Sequence, residues 1–281
     1  ERIDYTSDTT TAVVKGPLSV AAYGWGATGN KSHGYWASSG TSGTNVDRLD
    51  YSNDSNGVSP KGPLTANRYM CAGASPRQNG LDSLRDMSSR WKIFKDVKIS
   101  YPYAYYGGGK DGSSSKSTVD RIDYANDMAT VPARGPLSAA KKYYYGATGN
   151  KNYGYYSGGT TPAPAMVSTV DRIDYSNDTT NAFIKGPLVV ARTGMSATGN
   201  NDFGWVAGGS PGPLSQVDRI NYSNDTITAL ARGNVTVAKY NRGGTGNKDY
   251  GYFAGGNPGS VSTVDRIDYS NDTTTASPKG S

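Results

Sequence analysis

Histidine and cysteine are nearly missing from this sequence. Among its 281 residues, His33 is the only histidine and Cys71 the only cysteine. One imidazole is too few for the zinc sites, copper sites and histidine-based triads that many enzymes use, and one thiol cannot form an internal disulfide. The sequence therefore predicts no catalytic residue, no bound metal and no cofactor, and we expect no enzyme activity.

Long apolar segments are missing as well. No apolar run approaches the roughly 18 residues of a membrane-spanning helix, and no basic segment followed by an apolar run opens the chain. Neither a membrane span nor a signal peptide is predicted. Because the chain opens at Glu1 and stops inside a repeat at Ser281, we expect it to be a fragment of a longer protein.

The abundant residues indicate thin, tightly packed sheets. The chain contains 37 Gly and 22 Tyr, and such sheets pack through aromatic rings and close backbone approach. The net charge is +6, but the basic residues return once per repeat and are not massed in one run. Nucleic acid is therefore not an expected partner.

A sequence close to Val-Asp-Arg-Ile-Asp-Tyr-Ser-Asn-Asp recurs six times along the chain. Its arginines are Arg2, Arg48, Arg121, Arg172, Arg219 and Arg266. The last three are spaced 47 residues apart, and one earlier interval is greatly enlarged. A period of this length, built from short strands with Gly, Pro and Asn turns, predicts an all-β propeller of four-stranded blades.

One standard copy, residues 188–233, shows where the strands of a blade are expected. A first strand over 188–198 ends at a Gly-Asn turn, and an aromatic second strand over 203–207 ends at Gly-Gly. A third strand over 216–222 carries apolar groups on both faces, as expected between adjacent blades. An edge strand over 226–229 completes the unit.

Counting these strands gives five complete blades and a half blade, because the chain starts at a third strand and ends at a fourth. We predict a single propeller domain over residues 1–281, with six blades favoured and seven as the alternative. Every blade edge in a ring must be covered, so the two missing strands should come from upstream residues or from another chain.

The order of these motifs resembles the kelch repeat, in which an aromatic strand ending in Gly-Gly precedes a Val-x-Arg-Tyr-Asp type strand, an edge strand and a small-residue segment with Arg. The amino-acid sequence of the unit is similar to repeats in structural proteins of tailed cyanobacterial phages. It includes Ser-Thr-Val-Asp-Arg-Ile-Asp-Tyr-Ser-Asn-Asp-Thr, Lys-Gly-Pro-Leu, Ala-Thr-Gly-Asn and Gly-Tyr-Phe-Ala-Gly-Gly. The second resemblance implies a virion component of a tail or fibre and brings no active-site residues.

Polar side chains that recur in every repeat are expected to stabilise the fold rather than to bind a metal ion or take part in catalysis. Oxygens of the type seen at Asp174, Asn177 and Asp178 suit Ca²⁺, but their return in every unit favours turn capping. Adjacent Asp and Arg point to opposite faces of the third strand, and we expect hydrogen bonds between blades there rather than catalysis. We interpret His33 as a variant of the aromatic strand position that holds Tyr or Phe in other copies.

The enlarged copy carries an insertion over residues 75–100 in place of the Gly-Asn hairpin. Leu81, Leu84 and Met87 recur at helical spacing, and further apolar residues exceed what a standard blade can bury. We expect a docking element, and a loop folded back on its own blade is the alternative. The predicted partner contacts are Arg90, Trp91, Lys92, Ile93 and Phe94.

A run of aromatic residues is the candidate glycan contact: Tyr143, Tyr144 and Tyr145. Tyrosine rings stack on sugar rings, but packing near the centre of a propeller requires the same rings. The sequence leaves these two interpretations open.

These features favour a non-enzymatic virion structural protein, a rigid propeller that makes protein–protein contacts within a tail or fibre assembly. Its expected partners are other virion proteins or copies of itself. Its expected location is the extracellular particle, after synthesis in the host cytoplasm. The alternative is a carbohydrate-binding, lectin-like propeller that recognises a host surface glycan.

Overall fold

The computed structural model describes residues 1–21, 23–37, 43–76, 102–143, 146–163, 165–259 and 261–280. Within these residues the chain is all-β apart from short helical turns, and none of those turns is long or apolar enough to cross a membrane. Five four-stranded antiparallel sheets follow one another along the chain. They are the blades of the predicted propeller.

The first two blades lie in the first half of the chain. Blade 1 contains β1 (Gly26–Gly29), β2 (His33–Ala37), β3 (Val46–Asp50) and β4 (Ser59–Lys61). Blade 2 begins with β5 (Ala72–Ala74) and β6 (Tyr103–Gly107). A small hairpin follows, made of β7 (Lys110–Asp111) and β8 (Ser114–Ser115). Blade 2 ends with β9 (Val119–Asp123) and β10 (Ala133–Arg134).

The remaining three blades follow the standard repeat. Blade 3 contains β11 (Ala147–Gly149), β12 (Tyr153–Ser157), β13 (Val170–Asp174) and β14 (Phe183–Lys185). Blade 4 contains β15 (Ser196–Gly199), β16 (Phe203–Ala207), β17 (Val217–Asn221) and β18 (Leu230–Arg232). Blade 5 contains β19 (Gly243–Gly246), β20 (Tyr250–Ala254), β21 (Val264–Asp268) and β22 (Ser277–Lys279).

Residues 1–15 form a half blade between blade 5 and blade 1. Their two segments pair through a bridge at Arg2, as the third and fourth strands do in the complete blades. On one side Asp8 accepts a hydrogen bond from Tyr252 of blade 5. On the other side Arg2 donates to Asp54 of blade 1. The described residues therefore occupy six positions in the ring, five with complete blades and one with a half blade.

Side-chain caps fix both kinds of turn within a blade. In the hairpin between β15 and β16, the side-chain oxygen of Asn200 accepts hydrogen bonds from the N–H groups of Asp202 and Phe203. After the third strand, the Asp174 carboxylate accepts from the N–H and hydroxyl of Ser176. Asn and Asp favour such local bonds, which is why Asn recurs in the inner hairpins of blades 1, 3, 4 and 5 and Asp or Asn recurs after the third strands.

Two strand boundaries differ from the sequence-based expectation. The first strand of blade 4 begins at Ser196, because the apolar residues around Leu188 form the linker from blade 3 and Leu188 is buried in the core between the two blades. The fourth strand begins at Leu230 and not at Thr226. The turn before it is longer than expected because Asp225 is held by the neighbouring blade through its backbone carbonyl and its carboxylate.

The core lies between neighbouring blades. The cluster between blades 3 and 4 joins Tyr155 to Met195 and Ile220, all buried. The glycine between the aromatic positions makes room for a neighbour: a Cβ on Gly204 would lie 2.5 Å from the methyl carbon of Thr148. The small residue predicted at this position is therefore needed, and the group that approaches it is a threonine side chain rather than backbone.

The hydrogen bond between a first-strand threonine and a tyrosine of the next blade is absent between blades 2 and 3. Thr148 Oγ1 lies 2.9 Å from the Tyr222 hydroxyl, whereas blade 2 has Ala74 at the corresponding position. The buried Tyr175 hydroxyl has no hydrogen-bond partner among the described residues. We expect Ala74→Thr to raise the free energy of unfolding by about 1 kcal/mol, because a buried hydroxyl gains its missing bond. Ala74→Val is the matched control in urea and thermal unfolding, and equal stability of the two variants would contradict the explanation.

Candidate interaction surfaces

Six aspartates tie each position of the ring to the one before it. These inter-blade aspartates follow the third strand and are buried: Asp8, Asp54, Asp127, Asp178, Asp225 and Asp272. Each accepts a hydrogen bond from the third-strand arginine of the preceding position, at 2.7–3.0 Å. A second Lys or Arg nitrogen lies 2.9–3.7 Å from each carboxylate. Together these pairs form a continuous belt around the ring.

At five of the six inter-blade aspartates, an aromatic side chain donates a further hydrogen bond to the carboxylate. The Tyr155 hydroxyl donates to Asp225 at 2.8 Å, and the Trp205 indole N–H donates to Asp272 at the same distance. Burial, together with the adjacent carboxylate, raises the pKa of Tyr155 well above its usual range, so the hydroxyl keeps its proton and remains a donor. Asp54 has no aromatic donor within the described chain, because the half blade contributes no second strand there.

The aspartates beside the third-strand arginines bind different partners. They are fully buried: Asp47, Asp120, Asp171, Asp218 and Asp265. Arg68 lies 2.5 Å from Asp120 and Arg192 lies 3.0 Å from Asp218, with both arginine side chains fully buried. The expected bonds between blades are therefore made by the arginine of each Asp-Arg pair. In blades 2–5 the aspartate binds a cation at the entry to its own blade, whereas Asp47 of blade 1 accepts hydrogen bonds from Ser19.

The candidate calcium ligands are divided between two structural roles. Asp174 caps the turn after β13, and Asp178 pairs with Arg121 of blade 2. Among the described residues, no three His, Cys, Asp or Glu side chains are grouped so that they could hold a metal ion. Turn capping thus accounts for the first aspartate, and contact between blades accounts for the second.

The single histidine and the single cysteine both lie in regular blade positions. His33 opens β2 and its ring centroid is 6.4 Å from that of Tyr35. In blade 3 the same position holds Tyr153, with the Arg172 guanidinium 4.2 Å from the ring centroid. Cys71 is buried, with its sulfur 3.7 Å from the Ala37 carbonyl oxygen. The interpretation of His33 as an aromatic-position variant agrees with this placement.

Tyr143 lies on the face of the ring that carries the linkers between blades. Lys110 Nζ is 5.2 Å from the centroid of its half-buried ring and 3.3 Å from its hydroxyl. The same ammonium lies 4.8 Å from the Tyr69 centroid, and its hydrogen bond with Tyr69 raises the pKa of Lys110, so the group stays charged. We call Tyr69, Lys110 and Tyr143 the linker-face cluster. Tyr144 and Tyr145 lie outside the described residues.

Tyr143 also has an unusual backbone conformation. Its φ is +59°, in the left-handed region that is unfavourable for tyrosine. Corresponding positions in other linkers share this conformation, with the glycines Gly24 and Gly194 in two of them and Met70 and Asn241 in the other two. The Tyr143 carbonyl accepts hydrogen bonds from the next linker, including one from the Gly194 N–H. The fold thus holds a strained tyrosine where glycine would be easier, which marks this side chain as a functional candidate.

The insertion predicted over residues 75–100 lies almost entirely outside the described residues. Ser75 and Pro76 are described, and the Ser75 hydroxyl bonds to the Tyr124 hydroxyl at 2.9 Å. The five predicted partner contacts all fall outside: Arg90, Trp91, Lys92, Ile93 and Phe94. The docking element therefore stays a prediction.

The outer edges of the blades differ from one another at two adjacent positions of the fourth strand. Blades 1 and 5 have Ser-Pro there, as Ser59-Pro60 and Ser277-Pro278. Blade 3 has Phe183-Ile184, with these side chains 52% and 61% exposed. Blade 4 has Leu230 at the first position, 46% exposed.

Backbone hydrogen bonding within a blade determines which N–H groups of its outer strand are free to pair with another strand. In the half blade, Arg2 and Val13 exchange both backbone hydrogen bonds, at 2.8 and 3.0 Å. The next residue of an outer strand, which is Ile184 in blade 3, therefore turns its N–H away from the sheet. Proline has no N–H to offer at this position, so the edges of blades 1 and 5 are protected against further pairing, whereas that of blade 3 is open.

A shallow cleft lies on the opposite face, between the hairpins of blades 4 and 5. Its volume is about 370 Å³, and its lining is mainly polar, with Asn200, Lys248, Asp249 and Tyr250 among the contributors. The candidate glycan residue Tyr143 is not part of this cleft.

Neither the outer edges nor Lys110 were predicted from the sequence as candidate contacts. The difference between the edges is visible in the sequence, because Phe183-Ile184 occupies the same position of the repeat as Ser-Pro does in two other copies. The partners of the inter-blade aspartates carry no local signal: Tyr155 and Asp225 are 70 residues apart in the chain. Such pairs become evident only when the blades are packed in a ring.

Comparison with known proteins gives information on the fold. No protein-family model and no curated protein matches the chain, and no comparison shows a relationship to phage or cyanobacterial proteins. Among solved structures the chain is similar to YjhT, a kelch-type propeller, with a TM-score of 0.64 and 12% sequence identity. The match covers 91% of this chain and 83% of the YjhT chain. At this identity the likeness shows the architecture alone, a β-propeller with a kelch-type structural neighbour.

Proposed function

We propose that this chain is a non-enzymatic propeller that makes protein–protein contacts through the outer edges of its blades. The observation that carries the proposal is the contrast between those edges. Ser-Pro closes the edges of blades 1 and 5, whereas Phe183-Ile184 leaves that of blade 3 apolar and free to pair. Exposed apolar strands of this kind associate with other strands unless they are blocked, so their retention on selected blades supports a contact role.

The charged residues support a scaffold rather than a reactive centre. The inter-blade aspartates and their arginines are engaged with each other around the ring, and the buried strand aspartates of blades 2–5 pair with buried or nearly buried cations. A ring held in this way keeps its edges in fixed relative positions. Fixed edges lower the entropic cost of binding a partner at several points.

The assembly that we propose is a virion tail or fibre, with other virion proteins or copies of this chain as partners and the extracellular particle as its location. The resemblance of the repeat sequence to repeats in phage structural proteins supports this part of the proposal. Residues 75–100 would add a further contact on the hairpin side of blade 2. The insertion contributes to the proposal through its sequence alone.

A second candidate function is glycan binding at the linker-face cluster. The strained backbone of Tyr143 and the contact of its ring with the Lys110 ammonium favour this alternative. Aromatic rings beside a hydrogen-bond donor are common in sugar sites. On this alternative the domain would bind glycans without any contribution from the outer edges.

The double variant Phe183→Ser/Ile184→Pro tests the edge role. It gives β14 the Ser-Pro that β4 and β22 already carry, so we expect the melting temperature to change little. The amount of chain recovered with purified particles, measured by quantitative immunoblot, should fall at least tenfold. Met128→Ser is the control, because Met128 is 67% exposed but does not lie on an edge strand.

Two results would overturn this proposal. One is unchanged recovery of the edge variant with the particles. The other is absence of the wild-type chain from particles together with glycan-array binding that Tyr143→Ala abolishes, which would establish the second candidate.

A further inference from the structure

Two of the six outer edges carry two large apolar residues in succession. Blade 3 has Phe183-Ile184 and the half blade has Val13-Val14, and each pair begins opposite the third-strand arginine of its own position. All four side chains are exposed, Val14 to 79%. At the same two positions blades 1 and 5 have Ser-Pro, blade 2 has Pro-Ala and blade 4 has Leu-Ala. These two edges therefore present more apolar surface to a neighbouring strand than the other four.

The backbone at both edges is free to pair with another strand. Val14 makes no backbone hydrogen bond to any described residue, and it follows Val13, which exchanges both bonds with Arg2. Its N–H and carbonyl therefore point away from the sheet. Ile184 holds the same place in β14, one residue after Phe183. Each edge thus offers one donor and one acceptor beside its apolar side chains.

The lysine that follows each apolar pair does not guard the edge. Exposed lysines on outer strands commonly prevent further pairing. Lys15 is instead bound to Asp54 at 2.9 Å, and Lys185 lies 3.3 Å from Asp225. Both ammonium groups are engaged in the belt of ion pairs, so two such edges can approach each other without bringing free positive charges together.

These two edges lie on opposite sides of the ring. The half blade is followed by blades 1, 2 and 3, and the ring returns through blades 4 and 5 to the half blade, where Tyr252 donates to Asp8. Blade 3 is therefore three positions from the half blade in either direction. Blades 1 and 5, which flank the half blade, have edges closed by proline. An edge contact at the half blade thus has no competing open edge beside it.

We infer that these two edges join copies of this chain head to tail, with the blade 3 edge of one copy paired with the half-blade edge of the next. Aromatic and β-branched side chains form favourable pairs on adjacent strands, and Phe183-Ile184 would face the smaller Val13-Val14. Contact surfaces on opposite sides of a molecule do not close into a ring, so the product is an open linear array. This inference rests on the proposed edge contacts and names their partner, a second copy of the chain.

Sedimentation velocity of the purified chain tests the inference. Each edge offers little free backbone, so the contact should be weak, and the average mass of the wild type should at least double between about 1 μM and about 1 mM. The variants Phe183→Ser/Ile184→Pro and Val13→Ser/Val14→Pro each give one edge the Ser-Pro of blades 1 and 5. Each variant alone should remain monomeric. An equimolar mixture of the two should form a dimer and nothing larger, because each variant keeps the edge that the other lacks.

The dimer in the mixture would also show that both variants are folded. Met128→Ser is the control and should associate as the wild type does, because Met128 is exposed but does not lie on an edge strand. A wild-type chain that stays monomeric up to about 1 mM would overturn the inference. Dimers of either edge variant alone would also overturn it, because they would mean that like edges pair with like.

Failure of this inference can be told apart from failure of the proposed function. A monomeric wild-type chain, combined with the loss of Phe183→Ser/Ile184→Pro from purified particles, would overturn the head-to-tail array and leave the edge role in place with another protein as the partner. Unchanged recovery of that variant with the particles would instead overturn the proposed function itself.

Discussion

Replacing Asp225 with Ala should lower the free energy of unfolding by about 3 kcal/mol, the cost expected when one partner is removed from a buried ion pair. The carboxylate accepts from the Tyr155 hydroxyl at 2.8 Å and from Arg172 at 2.7 Å, and Lys185 lies 3.3 Å away. Its loss leaves two cations and a buried hydroxyl without their common acceptor. The cavity left by the side chain adds a smaller cost.

Asp54→Ala is the matched control, because Asp54 occupies the same place at the incomplete position. Its arginine, Arg2, is 56% exposed, and no aromatic hydroxyl or indole within the described chain donates to it. Water can replace most of what Arg2 loses, so the decrease in stability should be less than half of that for Asp225→Ala. Thermal and urea unfolding of both variants measure the difference. Equal losses would show that the aromatic donor and burial do not determine the strength of these sites.

The number and order of the blades could be predicted from the sequence because they depend on local signals. The Gly-Asn turn, the aromatic strand and the Asp-capped turn each act within a few residues, and the structure places them as expected at Asn200, Phe203 and Asp174. The half blade also followed from counting strands. The fold class is therefore encoded redundantly, with each copy repeating the same information.

The strand boundaries and the contact sites were harder to predict because they depend on packing between blades. Apolar residues such as Leu188 suit a strand locally, but this one is buried as part of a linker. The partner of Asp225 depends on the ring, since Arg172 is 53 residues away in the chain. The edge residue Ile184 is apolar, as a core residue would be, and only its place on the outer strand exposes it.

The repeated Lys-Gly or Arg-Gly at the end of each blade explains how the blades approach so closely. A Cβ on the glycine would lie 1.7–1.9 Å from a backbone oxygen of the next position in all six copies. The glycines are Gly16, Gly62, Gly135, Gly186, Gly233 and Gly280. None of them has a left-handed φ, so the requirement for glycine comes from close approach and not from backbone conformation.

Gly186→Ala should therefore lower the free energy of unfolding by about 3 kcal/mol or more, which corresponds to a fall of roughly 6 °C or more in melting temperature. The added carbon would lie 1.8 Å from the Ile227 carbonyl oxygen, and backbone cannot yield as a flexible side chain does. Moving the two blades apart would break the bond from the Gly186 N–H to the Asp225 carbonyl, now 2.7 Å, and would also disturb the Asp225 carboxylate.

Gly57→Ala is the control for this substitution, because its Cβ would meet only the Pro17 carbonyl oxygen at an ordinary 3.7 Å. Both glycines lie outside the left-handed region, so the comparison isolates the steric term. Thermal unfolding of the two variants should show a large decrease for Gly186→Ala and little change for Gly57→Ala. A Gly186→Ala protein as stable as the wild type would mean that the blades can separate at this point without losing the aspartate site, and that the belt of ion pairs tolerates a wider spacing than the structure shows.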